Sequence, residues 1–261
     1  MAALTPALLA LDFDGVLCDG LIEYFQSTWR AYCRIWPDGP SSPPEGVADR
    51  FYRLRPVIET GWEMPILLQA LLQNIPDDEI LSHWPTLAEQ LVQEAKLVPT
   101  ELSALLDGTR DEWIAADLES WLANHRFYPG VVEQVQTWLT SPLMLIIITT
   151  KEGRFVHQLL QQQGIGLAEH QIIGKESRKP KAQSLRELLA AHHLTPDRVW
   201  FVEDRLKTLQ GVQKQPDLAD VRLFLAEWGY VTDRDRQIAQ NDQQIHLLSL
   251  AQFTQDFSEW P

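Results

Sequence analysis

Cysteine is scarce in this 261-residue chain: Cys18 and Cys33 are the only two. That rules out a disulfide framework and is too few for a structural zinc site, so a reduced, cytoplasmic setting is expected. Positive charge is also in short supply, with 22 Lys and Arg against 36 Asp and Glu and a net charge of −14. Nucleic acid and anionic membrane surfaces are poor partners for such a surface. Long apolar runs are missing as well. The stretch before Asp12 stops within roughly ten residues and has no basic flank, so neither a signal peptide nor a spanning segment is expected. What is present is ample apolar material, 45 % of the residues, enough for a full core with room for a sizeable insertion.

That apolar material falls into short runs: ALLAL (7–11), LMLIIIT (143–149), QIIG (171–174), VWFV (199–202), VRLFLA (221–226) and, more weakly, IHLLSL (245–250). Continuous runs of this length suit strands buried on both faces of a parallel sheet. Between them lie segments of helical spacing. One places Val131, Val132, Val135, Trp138 and Leu139 on one face; another does so with Phe155, Val156, Leu159 and Leu160, with Gly164 placed to cap it. Residues 20–127 read differently, with helical patterns, a Pro/Gly-rich loop and six of the ten tryptophans. The expected fold is α/β: a Rossmann-like doubly wound parallel sheet from residues 1–19 and 128–261, with an inserted all-α domain over 20–127.

In open α/β sheets ligands bind beyond the carboxyl ends of the strands. The first strand ends in Asp12 and Asp14 with Gly15 after them. Two carboxylates this close repel and lose solvation unless a cation compensates, so a divalent metal is a natural partner. A solvated Asp/Gly turn is the plainer alternative. A calcium loop fits poorly: Glu23 has the right offset from Asp12, but Leu17 stands where the glycine is needed and Val16 where an oxygen is.

Thr149, Thr150 and Lys151 follow the second strand, where hydroxyls and N–H groups suit a phosphate and equally suit a helix cap. After the third strand Lys175, Arg178, Lys179 and Lys181 crowd one loop. The fourth strand ends in Glu203, Asp204 and Arg205, a second acidic pair. Residues 151–207 carry ten Lys/Arg against seven Asp/Glu, the remainder twelve against twenty-nine. The basic excess lies where an anionic substrate would be drawn.

These motifs, DFDGVL, IIITT, RKPKAQSL and VWFVED in that order, resemble the phosphatase branch of the haloacid dehalogenase-like superfamily, and the helical insertion resembles that family's commonest cap. The resemblance implies a Mg²⁺-dependent phosphatase acting on a small phosphorylated metabolite. Asp12 would be the nucleophile that forms an aspartyl-phosphate, and Asp14 the acid and then the base. Thr149, with Thr150 beside it, and Lys179 would hold the phosphoryl group, Lys179 being preferred because the family's lysine commonly precedes proline, with Lys175 as the alternative. The metal would be held by Asp12, the backbone carbonyl of Asp14, and Asp204. Glu203 replaces the usual glycine or aspartate, which leaves open whether it ligates directly. Dehalogenases lack an acid at the position of Asp14, so its presence favours phosphate esters. In the insertion, Arg53 and Arg55 on a turn with Glu59, Trp62 and Glu63 are candidates for contact with the rest of the substrate, packing being the alternative. A phosphoryl-transferring mutase and a non-catalytic binding protein retaining the fold are the competing readings. The sequence leaves the oligomeric state open.

Overall fold

The computed structural model describes residues 5–261, so the start of the stretch read above for a signal peptide lies outside the described residues. The chain divides into two compact units, one made of residues 1–19 and 126–261 and the other of Gly20–His125.

The first unit is built on a six-stranded, all-parallel sheet. Its strands are β1 (Leu8–Leu11), β4 (Met144–Ile148), β5 (Ile172–Ile173), β6 (Val199–Glu203), β7 (Arg222–Ala226) and β8 (Ile245–Leu248), in spatial order β5-β4-β1-β6-β7-β8. A two-stranded antiparallel pair, β2 (Cys18–Asp19) with β3 (Arg126–Phe127), stands where the chain leaves and re-enters this unit. Every residue of β1 and β6 is buried, which explains why these strands read as unbroken apolar runs and not as an alternation. Helices Val131–Leu139, Gly153–Gln162, Lys181–His192 and Leu206–Gln213 alternate with the strands and cover them through buried residues such as Val135, Leu159, Leu185 and Leu209.

The strand order turns back on itself at β1. The chain first adds strands on one side of β1 and then crosses to place β6 on the other, and such a switch point opens a crevice at the carboxyl ends. Register sets what lies there. Leu11 pairs with Ile147 on one side and Val202 on the other, so the residues just beyond these pairs come level with one another. Asp12 donates its backbone N–H to Val202 O at 2.9 Å, carrying the alignment one step past the strand.

The second unit is helical: Leu21–Ile35, Val47–Leu54, Glu63–Leu72, Asp77–Glu94, Pro99–Ala116 and Leu118–Leu122. The pattern that spans RDEWIAADLESWLANH is split at Asp117, whose carboxylate accepts from Ser120 N and starts a new helix. The unit has its own core, in which Phe25, Phe51, Leu67, Trp84, Leu106 and Trp121 are buried. Within it Glu23, 0 % exposed, accepts hydrogen bonds from Arg110 Nε (2.7 Å), Ser27 Oγ (2.6 Å) and Trp121 Nε1 (3.1 Å). Glu23 is thus a structural acid of the helices and no part of a calcium loop. Among the described residues no helix is long and apolar enough to cross a membrane.

Candidate active site

Asp12 follows directly on β1 and is buried, and its Oδ1 accepts from Phe13 N at 2.7 Å. Beyond it the chain turns: Leu17 and Cys18 both donate to Phe13 O, and Gly15, at φ +84°, donates to Cys18 O. Glycine is required at 15, since a Cβ there would collide with the Asp204 carboxylate. Glu203 closes β6 and Asp204 follows it, both buried. Ligand oxygens of Asp12, Glu203 and Asp204 all lie within 4.8 Å of one another.

One ammonium enters this acidic group. Lys181 Nζ is 2.9 Å from Asp12 Oδ1 and 2.7 Å from Glu203 Oε2. Glu203 Oε1 accepts from Arg205 N at 3.0 Å, and Asp204 Oδ2 from Tyr230 N at 2.8 Å. Three acids against one lysine leave an excess of negative charge in a buried place, with consequences for titration. Burial, reinforced by the neighbouring charge of Glu203, pushes Asp12 up to about 7 despite Lys181. Burial and the charge of Asp12 push Asp204 up to about 6, and burial raises Glu203 as well. Burial alone would lower Lys181, but the charges of Asp12 and Glu203 outweigh it and hold its ammonium above the ordinary lysine value. A donor set of several carboxylate oxygens, short of positive charge and desolvated, fits a hard divalent cation.

Asp14 meets a different cation. Its two oxygens lie 3.1 and 3.3 Å from Lys151 Nζ. Asp12 and Asp14 thus engage separate lysines. Thr149 is buried at the end of β4, its N–H on Ile173 O and its Oγ1 accepting from Lys151 N at 3.1 Å. Thr150 is exposed beside it.

The lysine expected at the site is Lys179, and here the structure differs. Lys179 Nζ pairs with Glu187 at 2.6 Å, with both side chains nearly half exposed. Lys175 lies in a short 3-10 turn before it. Lys181 is the lysine at Asp12 because Pro180 opens the helix and makes Lys181 its first residue, fixed on a regular element and pointed back to the strand ends. That proline at the helix start is the signal that could have selected it. The turn after β7 is a second place that sequence reasoning missed. A Cβ on Gly229 would strike Gly15 O and Asp204, so glycine lets Tyr230 N reach the Asp204 carboxylate, while Tyr230 Oη donates to Asp19 Oδ1 at 3.1 Å. Applying the strand-end rule to VRLFLA as well would have flagged it. In the helical unit Arg53 bonds Asp77 at 3.1 Å, and Arg55 is buried with its guanidinium 4.9 Å over the Tyr24 ring and Nη1 on Ile58 O. Arg55 is thus held by contacts within the helical unit.

Known proteins bear on this arrangement. A phosphoglycolate phosphatase of Pseudomonas putida is 26 % identical over 142 residues, covering 52 % of this chain and 52 % of that protein. Another protein of that species, named "probable phosphoglycolate phosphatase", is 29 % identical over 135 residues, covering 49 % and 54 %. The chain thus spans about half the length of the curated relatives it matches. In fold it is similar to a haloacid dehalogenase-like family hydrolase from Streptococcus pneumoniae, at TM-score 0.55 and 17 % identity over 95 % of both chains. It is also similar to a family hydrolase from Deinococcus radiodurans, solved with bound phosphate and sodium, at TM-score 0.52 and 14 % identity over 94 % and 92 %. A family model described as haloacid dehalogenase-like hydrolase matches residues 6–214, most of the chain and the ends of β1, β4, β5 and β6, and the chain belongs to that family.

Proposed function

We propose that this protein is a Mg²⁺-dependent phosphatase that hydrolyses a small phosphorylated metabolite through an aspartyl-phosphate on Asp12. The observation that carries the reading is the buried trio Asp12, Glu203 and Asp204 with Lys181 among them. An acidic cluster with so little compensation suits a site completed by a cation and an anionic substrate.

Asp12, Asp204 and the backbone carbonyl of Asp14 would hold the ion. Glu203, with both oxygens already accepting from Lys181 and Arg205 N–H, serves to hold Lys181 in place. When bound, Mg²⁺ supplies neutralisation of charge on the phosphoryl oxygens and relieves the repulsion between Asp12 and an anion. Lys181 and the Thr149 hydroxyl, whose proton is not used by its contact with Lys151 N, bind the phosphoryl oxygens. An Asp12 oxygen attacks phosphorus, the bond to the ester oxygen breaks, and Asp14 gives that oxygen its proton. In the second half Asp14 takes a proton from water, the water oxygen attacks phosphorus, and the bond to Asp12 breaks to release inorganic phosphate.

The names of the relatives favour a short phosphorylated carboxylate such as phosphoglycolate. The test is a phosphate-release screen over phosphoglycolate, sugar phosphates and an aryl phosphate, with Mg²⁺ or with chelator, and with Asp12→Asn as the blank. Mg²⁺-dependent release that vanishes in the blank is expected. A panel with no turnover, or a blank as active as the wild type, refutes the reading. Isomer formation without phosphate release identifies a mutase.

A further inference from the structure

The loop after β4 brings a second ammonium to the strand ends. Lys151 Nζ touches both oxygens of Asp14, at 3.1 and 3.3 Å, with the two side chains only 9 % and 15 % exposed. Lys181 at the same end of the sheet is engaged with Asp12 and Glu203. Each of the two neighbouring aspartates is therefore held by its own lysine.

The backbone of Lys151 is fixed from both sides. Its N–H donates to Thr149 Oγ1 at 3.1 Å, and its carbonyl accepts from Lys175 N at 2.9 Å. Asp14 has a less regular support: it lies outside the six-stranded sheet, in a turn held to Cys18 by one isolated bridge. A carboxylate on such a turn would spread over several rotamers without a partner. A proton donor works only within hydrogen-bond reach of the oxygen it serves, so a fixed rotamer removes an ordering cost from the chemical step.

We propose that Lys151 is the positioning residue of the acid–base group Asp14: it fixes the Asp14 side chain in the one orientation from which it exchanges a proton, given to the leaving oxygen and taken back from water. The inference rests on the phosphatase reading, and it assigns to Lys151 an action exerted through Asp14 and not on the phosphoryl group.

The test is a double-mutant cycle, read with an alkyl phosphate and with p-nitrophenyl phosphate, whose leaving group needs little protonation. Lys151→Met should lower kcat on the alkyl ester about 10–100-fold with KM changed less than about threefold, and lower it less on the aryl ester. Lys151→Arg should recover most of the loss. In an Asp14→Asn background, assayed on the aryl ester, Lys151→Met should add less than about a twofold effect, because the group it acts through is already gone. Where Lys151→Met melts below the assay temperature, Lys151→Gln takes its place in the cycle. The proposal is overturned by an equal loss in the Asp14→Asn and wild-type backgrounds, by a rise in KM at constant kcat, or by wild-type turnover in Lys151→Met. A wild type that hydrolyses nothing in the panel fails the phosphatase reading and takes this inference with it; an active wild type with an unaffected Lys151→Met removes only the role of Lys151.

Discussion

Replacing Glu23 by alanine tests whether one buried acid organises the helical unit. Three donors converge on its Oε1, from Arg110, Trp121 and Ser27, and the last two helices of the unit are tied through it to the first. Arg110 keeps only 21 % of its side chain exposed, so loss of Glu23 leaves a poorly solvated guanidinium whose remaining acidic partner is the half-exposed Asp107 at 3.4 Å. Breaking a buried pair from one side costs about 3–5 kcal/mol. At about 2–4 °C per kcal/mol for a chain of this size, the melting temperature should fall by about 6–20 °C. Urea unfolding followed by tryptophan fluorescence is well suited, because six of the ten tryptophans lie in residues 20–127. Glu23→Gln keeps an acceptor and should lose about 1–2 kcal/mol, the difference between a charged and a neutral hydrogen bond. The double replacement Glu23→Met with Arg110→Met removes both charges and should regain most of what Glu23→Ala loses. A loss below about 1 kcal/mol in Glu23→Ala, or a double variant no more stable than the single, refutes the reasoning.

Lys181→Met should reduce turnover about 10²–10³-fold, whereas Lys179→Met, which removes only the exposed pair with Glu187, should leave it within about twofold; steady-state kinetics on both decides between the two lysines. Mg²⁺ at a hundredfold its dissociation constant should stabilise the wild type by about 2.7 kcal/mol in thermal melts, and Asp204→Asn should abolish the shift; an equal shift in both places the ion elsewhere. Partial burial alone would raise Asp77, yet its hydrogen bonds and charge pairing with Arg50 and Arg53 hold it below the usual aspartate value. A carboxyl lowered on folding contributes stability above its unfolded value and loses it as pH falls through the folded one, so the gap between wild type and Asp77→Asn should close below about pH 4. A gap that stays constant down to about pH 3 in urea titrations would contradict that pairing.

The central strands were legible because burial on both faces leaves a plain mark, an unbroken apolar run. The β2–β3 pair was harder, its strands being two residues long and far apart in sequence, too short for any period to register; β5 is as short, yet its two isoleucines stood out in QIIG. At the site, the acidic residues stood out because a charged side chain at the end of a buried strand contradicts its surroundings. Lysines carry no such contradiction. Four basic residues in one loop look alike in sequence, and only the helix start at Pro180 separates Lys181 from Lys179. Tyr230 contributes through its backbone N–H, which every residue but proline has, so its side chain gave no hint of the contact with Asp204. Only the small size of Gly229 left a trace.

The acids that face one another at the switch point are separated by nearly three quarters of the chain: Asp12 leaves the ribosome long before Glu203 and Asp204. In between comes a helical unit whose core is drawn from its own segment, Gly20–His125. That unit can gain structure while the first strand still waits for its neighbour. Pairing of β1 with β6 is a late, long-range step, and until it occurs the carboxylates of Asp12, Glu203 and Asp204 stay apart on the nascent chain.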